Sequence, residues 1–152
     1  MNPSTGMHPT PCNCAALREA ARRVTQFYDR HLAAAGLRNT QFSILARLKR
    51  LGPTSINALA QDLGMDRTTL GRNILPLQRR RLIAVKAGRD DGRVKELHLT
   101  KAGLARLEAA SKGWARAQAQ FEGTFGHERA SELRGLLRAV VESDLRADAG
   151  AP

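Results

Sequence analysis

Hydrophobic positions recur three and four residues apart through most of the chain, change to short alternating runs near its middle, then return to helical spacing. From Cys14 to Ala35, Leu17, Ala20, Ala21, Val24, Phe27, Tyr28, His31 and Leu32 keep that spacing, and Gly36 supplies a stop. The stripe is broad, which predicts more than one packed neighbour. Phe42, Ile44, Leu45, Leu48 and Leu51 predict a second helix, capped by Thr40 and ended by Gly52 and Pro53. Thr54 or Ser55 then caps a short helix carrying Ile56, Leu59, Ala60 and Leu63, closed by Gly64. Asp66 caps the next, from Arg67 to about Arg80, and its charge suits the positive end of the helix dipole. Pro76 removes a donor inside this helix and predicts a local bend, while Arg81 stands where a glycine would close the helix most easily.

Ile83 to Lys86 and Val94 to Leu99 read as strands separated by a polar turn, Gly88 to Arg93. Thr100 caps a long helix to about Phe125, with Leu104, Leu107, Ser111, Trp114, Gln118, Phe121 and Phe125 at helical spacing. Gly126 breaks it, and Leu133, Leu136, Leu137, Val140, Val141 and Leu145 mark a last helix. The chain has no internal repeat and no low-complexity segment. Its 152 residues suit one domain, or a compact domain with an extension, long enough to bury a core without metal or disulfide support. The expected fold class is mainly α with a small β-hairpin wing.

A short helix bracing a basic helix, followed by an arginine-tipped hairpin, is an arrangement that reads a DNA major groove and reaches the neighbouring phosphates or minor groove. Charge agrees: Lys plus Arg total 25 against 14 Asp plus Glu, a formal net charge of +11 with a pI near 11.1, which favours a polyanionic partner. Leu59, Leu63, Leu70, Ile74 and Leu77 are expected to hold the two helices together. The solvent side of the basic helix would then show Arg67, Thr68, Thr69, Arg72 and Asn73: arginine suits guanine, asparagine suits adenine, and threonine suits the thymine methyl or a phosphate. At the hairpin tip stand Arg89, Asp90, Asp91, Gly92 and Arg93; Asp91 is expected to brace the Arg93 guanidinium, directing it into a narrow minor groove. The plainer alternatives are a solvated helix pair and an ordinary charged turn. The charge surplus alone also fits a nonspecific architectural DNA binder.

The chain resembles the MarR-type winged helix-turn-helix regulators over about Cys14 to Leu145, most specifically in "INALAQDLGMDRTTLGRNILPLQRRRLI", "DDGRVKELHLTKAG" and "GLRNTQFSILARL". The resemblance implies a homodimer with interlocked terminal helices, bound to double-stranded DNA at a palindromic operator. It implies transcriptional control, usually repression, released by a ligand or an oxidant. It assigns the major groove to Arg67, Thr68, Thr69, Arg72 and Asn73, and the minor groove to Arg93 with Asp91 behind it; Arg81 departs from the family's common glycine. The expected organisation is a flexible arm at 1–11, a regulator domain at 12–147 and a tail at 148–152. Within the domain, 12–36 and 100–147 are expected to dimerise and 40–99 to bind DNA, because neither terminal set can hide its apolar face alone. A dimer would present two reading helices roughly 34 Å apart, one DNA turn.

Cys12 and Cys14 open the first helix, where the helix dipole favours thiolate, and Arg18 follows one turn on. The segment is similar to the thiol-sensing, organic-hydroperoxide branch of the family, in which a cysteine here is supported by a tyrosine of the partner subunit. Cys14 and Tyr28 match those two positions; Arg18 stands in place of a second tyrosine, and Cys12 is an addition. Redox sensing stands beside an idle cysteine pair and metal binding through Cys12, Cys14 and His8, which offers only three ligands where a closed zinc site wants four. A Cys12–Cys14 disulfide would close a very small ring, so oxidised pairing across a dimer is the easier product. Phe27, His31, Trp114, Phe121 and Phe125 either line a cleft for a small aromatic effector or pack as core. His98 reads as a surface or sheet residue. No Ser, His and Asp constellation, phosphate-cradling glycine loop or metalloprotease helix stands in the sequence, so no enzyme is expected; an enzyme or small-molecule carrier reusing this fold would need a polar constellation in that cleft. Met1 to Pro11 lacks the apolar core of a secretory signal, and no apolar run approaches the roughly 18 residues of a membrane span, so a cytoplasmic, reduced setting is expected.

Overall fold

The computed structural model describes residues 11–145. The arm's first ten residues, His8 among them, and the tail at 148–152 lie outside the described residues. The chain falls into two compact units, one ending at Trp114 and the other beginning at Ala115. In order come α1 (Asn13–Leu32), a 3₁₀ turn (Ala33–Ala35), α2 (Asn39–Leu51), β1 (Thr54–Ser55), α3 (Ile56–Leu63), α4 (Arg67–Arg79), β2 (Ile83–Ala87), β3 (Lys95–Leu99), α5 (Lys101–Phe125) and α6 (His127–Glu142). The fold is mostly helical, with a small three-stranded antiparallel sheet, and matches the winged-helix expectation. No helix among the described residues is long and apolar enough to cross a membrane.

The core of the first unit is aliphatic. Leu59 on α3 and Leu70, Ile74 and Leu77 on α4 are buried against Ile44, Leu45 and Leu48 on α2, with Leu63 half-buried at the edge. Each fully buried leucine stabilises the fold by roughly 1.5–3 kcal/mol. Leu51, expected inside, is exposed instead, because α2 ends there and Gly52 turns the chain away. On the solvent side, Asp62 of α3 accepts from Arg47 and Arg50 of α2, each at 2.9 Å, and clamps the two helices.

Three of the turns share one closing pattern. In each, the residue past the helix turns left-handed and its neighbour's N–H reaches back five residues: Leu37 to Leu32 (3.4 Å), Met65 to Ala60 (2.9 Å) and Leu82 to Leu77 (2.9 Å). Glycine occupies the left-handed position in the first two; in the third it is Arg81, at φ 58°. Its Cβ crowds the following carbonyl there. Arg81→Gly is therefore expected to stabilise the protein by about 0.5–1 kcal/mol, read as a raised urea midpoint at unchanged slope. α4 itself continues through Pro76 to Arg79.

The wing is larger than a hairpin. β3 pairs β2 in register (Val85 opposite Leu97, Ile83 opposite Leu99) and also pairs Thr54 and Ser55, giving the order β1-β3-β2. Ser55 thus ends a strand and caps α3, accepting from the Ala58 N–H at 3.2 Å. Thr100 closes the other side: its hydroxyl accepts from the Gly103 N–H (2.9 Å) and donates to the Arg81 carbonyl (2.7 Å). In the second unit, Glu122 gathers Gln118, His127 and Arg134, which together hold its carboxyl below the ordinary glutamate range, Gln118 contributing most.

Candidate nucleic-acid interface

The Asp66 side chain caps α4 twice, accepting from the Thr69 hydroxyl (2.6 Å) and the Thr69 backbone N–H (2.8 Å). These two bonds, the hydroxyl's first, hold its carboxyl below the ordinary aspartate range. Because the folded state depresses this group, its contribution is complete above the usual aspartate pKa and is lost as pH falls through the lowered value. Asp66→Asn retains a capping oxygen without the titration. Its stability should fall less than that of the natural protein between about pH 5 and pH 3, as followed by urea unfolding.

α4 presents Arg67, Thr68, Thr69 and Arg72 on its exposed side, with Asn73 half-buried beside them. These five divide by their bonds. Thr69 is tied to Asp66, and Asn73 donates from Nδ2 to the Thr69 carbonyl at 2.9 Å. Arg67, Thr68 and Arg72 make no side-chain hydrogen bond or ion pair among the described residues. Two long cations and a hydroxyl thus extend from a helix face fixed from behind by Leu70, Ile74 and Leu77.

At the wing tip Asp91 acts differently from expectation. Its Oδ1 accepts from the Arg93 backbone N–H at 3.0 Å, and no ion pair among the described residues joins it to the Arg93 guanidinium. An aspartate two residues ahead of an N–H closes an Asx turn more readily than it reaches a long side chain. Val94 N–H to the Asp91 carbonyl (3.0 Å) and Gly88 N–H to the Val94 carbonyl (2.7 Å) complete the loop. Asp91 shapes the loop that carries Arg93, and both Arg89 and Arg93 are exposed.

Arg67 and Arg93 meet across an open groove of about 580 Å³, lined also by Ser55, Ile56, Asn57, Val94 and Lys95. The groove joins the heads of α3 and α4 to the wing. Sequence reasoning does not single out Lys95 or Asn57. The available signal for Lys95 is its place two residues past Arg93, and for Asn57 its place in the first turn of α3. Three cations around one concavity, with two helix N-termini opening beside it, favour phosphate oxygens.

The remaining candidates lie elsewhere. Cys12 takes the N-cap position of α1 and Cys14 its first turn; both are exposed and line a shallow recess of about 330 Å³ with Arg18 and Arg22. Tyr28 packs edge-on against Phe27, and Phe27 lies 4.7 Å from the His31 ring. Trp114 stacks on Phe42 and lines a recess of about 360 Å³ with Met65 and Arg47. In the second unit, Phe121 stacks on Phe125. His98, on β3, sits 3.4 Å from Glu96, and its Nε2 has no hydrogen-bond partner among the described residues.

Residues 37–95 match the MarR family. No curated protein matches the chain. Among solved structures, the Mycobacterium tuberculosis transcriptional regulator MosR in complex with DNA is 36% identical, with 89% of this chain and 100% of that one covered and a TM-score of 0.76. A probable transcriptional regulator from Pseudomonas aeruginosa is 31% identical, with coverage of 84% and 96% and a TM-score of 0.77. The transcriptional repressor CouR, bound to a 23-mer DNA duplex, is 26% identical, with coverage of 86% and 93% and a TM-score of 0.78. With 36% identity to MosR over 89% of this chain and the whole of that regulator, and with the winged helix-turn-helix built as described, the chain belongs to the MarR family of transcriptional regulators.

Proposed function

We propose that the protein is a cytoplasmic, homodimeric repressor that binds a palindromic operator, with α4 in the major groove and the wing in the minor groove. The observation that carries this reading is the groove lined by Arg67, Arg93 and Lys95; Thr68 and Arg72, exposed on the same helix as Arg67, make no side-chain bond among the described residues. MosR and CouR, each described in complex with DNA, support the same choice of partner; CouR, a repressor, supports the direction of control. In this reading residues 40–99 bind DNA, while 12–36 and 100–147 join two copies. The dimer is supported by apolar side chains left in solvent: Leu17 and Val24 on α1, and Leu136, Leu137, Val140, Val141 and Leu145 at the chain's end, where Val141 is 83% exposed.

Footprinting of the DNA upstream of the chain's own gene tests the reading. A protected palindrome is expected, with affinity falling steeply as salt rises, since each phosphate neutralised adds about 0.9 to the log–log slope. Equal affinity for random DNA in a competition titration would favour the nonspecific architectural reading; no protected palindrome at moderate salt would end the repressor reading.

For release, the exposed Cys14 beside Arg18 supports an oxidant, and the Trp114 recess supports a small aromatic effector. In the first route the Cys14 thiolate takes one peroxide oxygen, forming sulfenate and leaving an alcohol. Cumene hydroperoxide is then expected to release DNA from the natural protein and not from Cys14→Ser. Equal release from both would remove Cys14 from the mechanism.

A further inference from the structure

A second basic concavity lies within the first unit, apart from the wing. It measures about 720 Å³, within the range of small-molecule pockets. The tail of α1 supplies Asp29, Arg30 and Ala33, the turn supplies Gly36 and Leu37, the head of α2 supplies Arg38 and Gln41, and the end of α4 supplies Pro76 and Arg80.

Its charges do not balance internally. Three arginines face one carboxylate, and no ion pair among the described residues involves Arg30, Arg38 or Arg80. Asp29 is already engaged, its Oδ1 accepting from the Asn39 backbone N–H at 2.6 Å. Gln41 likewise accepts from the Arg38 backbone N–H at 3.1 Å. Arg80 donates to the Gly36 carbonyl at 2.8 Å through Nη1, one of its five donors. Arg106 donates to the adjacent Ala35 carbonyl at 3.0 Å, so two guanidiniums crowd one turn and bond there to neutral oxygens. A Cβ at Gly36 would stand 3.2 Å from Arg80 Nη2; the left-handed glycine (φ +66°) lets that guanidinium close on the turn. The thirteen-residue α2 also points its positive end here.

We propose that this cleft is an anion site that takes a phosphate group, held by Arg30, Arg38 and Arg80 at the junction of α1, α2 and α4. A bound phosphate would supply the charge the cleft lacks and would link the tail of α4 to the head of α2. The phosphate could belong to a small molecule or to a DNA backbone, and the two arms of the test separate these sources.

In the first arm, sodium pyrophosphate is titrated by calorimetry into the full-length protein at fixed ionic strength, without DNA. Saturable binding near one per chain is expected, weakened at least tenfold in the Arg30→Ala/Arg38→Ala double variant, whose side chains make no bond that holds the fold. Arg80→Gln, with folding checked by circular dichroism, should weaken it similarly. In the second arm, the salt dependence of DNA binding is compared between the natural protein and Arg38→Ala. Pyrophosphate binding that the variants abolish assigns the site to a free ligand. No pyrophosphate binding, together with a reduced salt slope in Arg38→Ala, assigns it to the DNA backbone. Binding unchanged by the substitutions, or neither effect, overturns the site. The first arm requires no operator, so its result is independent of the repressor reading.

Discussion

Gly103→Ala should destabilise the protein by roughly 3 kcal/mol, a large part of an ordinary domain's 5–15 kcal/mol. The first turn of α5 presses on the end of the α4 turn. Thr100 N–H donates to the Leu82 carbonyl at 3.2 Å. A methyl group on Gly103 would collide with that carbonyl oxygen and stand 2.8 Å from Leu99 Cδ1. The Leu99 methyl can rotate aside, but the Leu82 carbonyl is backbone and cannot yield cheaply. Leu82 is held by its bond back to Leu77, and Leu99 belongs to β3, paired with Ile83. The substitution therefore pries apart the joint between reading helix, wing and α5. Urea unfolding at fixed protein concentration should show a lower midpoint with unchanged slope. A loss under about 1 kcal/mol would mean that α5 can slide away and that the joint is not fixed.

Arg67→Ala/Arg93→Ala should weaken operator binding by two orders of magnitude or more while leaving the fold intact. Neither side chain makes a hydrogen bond or ion pair among the described residues, so removal costs no stability, yet the pair faces the same groove. If each arginine contributes about 1 kcal/mol and two subunits bind one site, the loss is about 4 kcal/mol, close to a thousandfold. The log–log salt slope should also flatten by about 0.9 for every phosphate that is no longer neutralised. A variant that kept both affinity and slope would move the interface away from the wing groove. Arg72→Ala is distinct: it should relax base choice at one or two positions.

Much of this architecture is legible in one sequence because its signals are local. Asp66, Ser55 and Thr100 cap the helices that follow them, and Gly36, Gly64 and Gly126 end the helices before them. Arg81 is an awkward closing residue by its type alone, and it is the one non-glycine at positive φ among the described residues. What escapes a local reading is what depends on distant partners. Thr54 and Ser55 are too few to show a strand period and become β1 only by pairing with Leu97 and Glu96. Thr40 resembles a cap, but α2 starts at Asn39 because Asp29, ten residues earlier, accepts its N–H. The stack of Trp114 on Phe42 joins residues far apart in the chain. The candidate interface residues on α4 are readable from amphipathic spacing, whereas the arginines of the second cleft come from three separate elements and share no pattern along the chain.

The division of labour on α4 bears on how such a regulator diversifies. Asp66, Thr69 and Asn73 commit their polar groups to the helix itself, whereas Arg67, Thr68 and Arg72 commit none. If these three outward letters read the DNA as proposed, duplicated copies of the gene can change addresses in the genome by swapping them, without first acquiring mutations that rescue the scaffold.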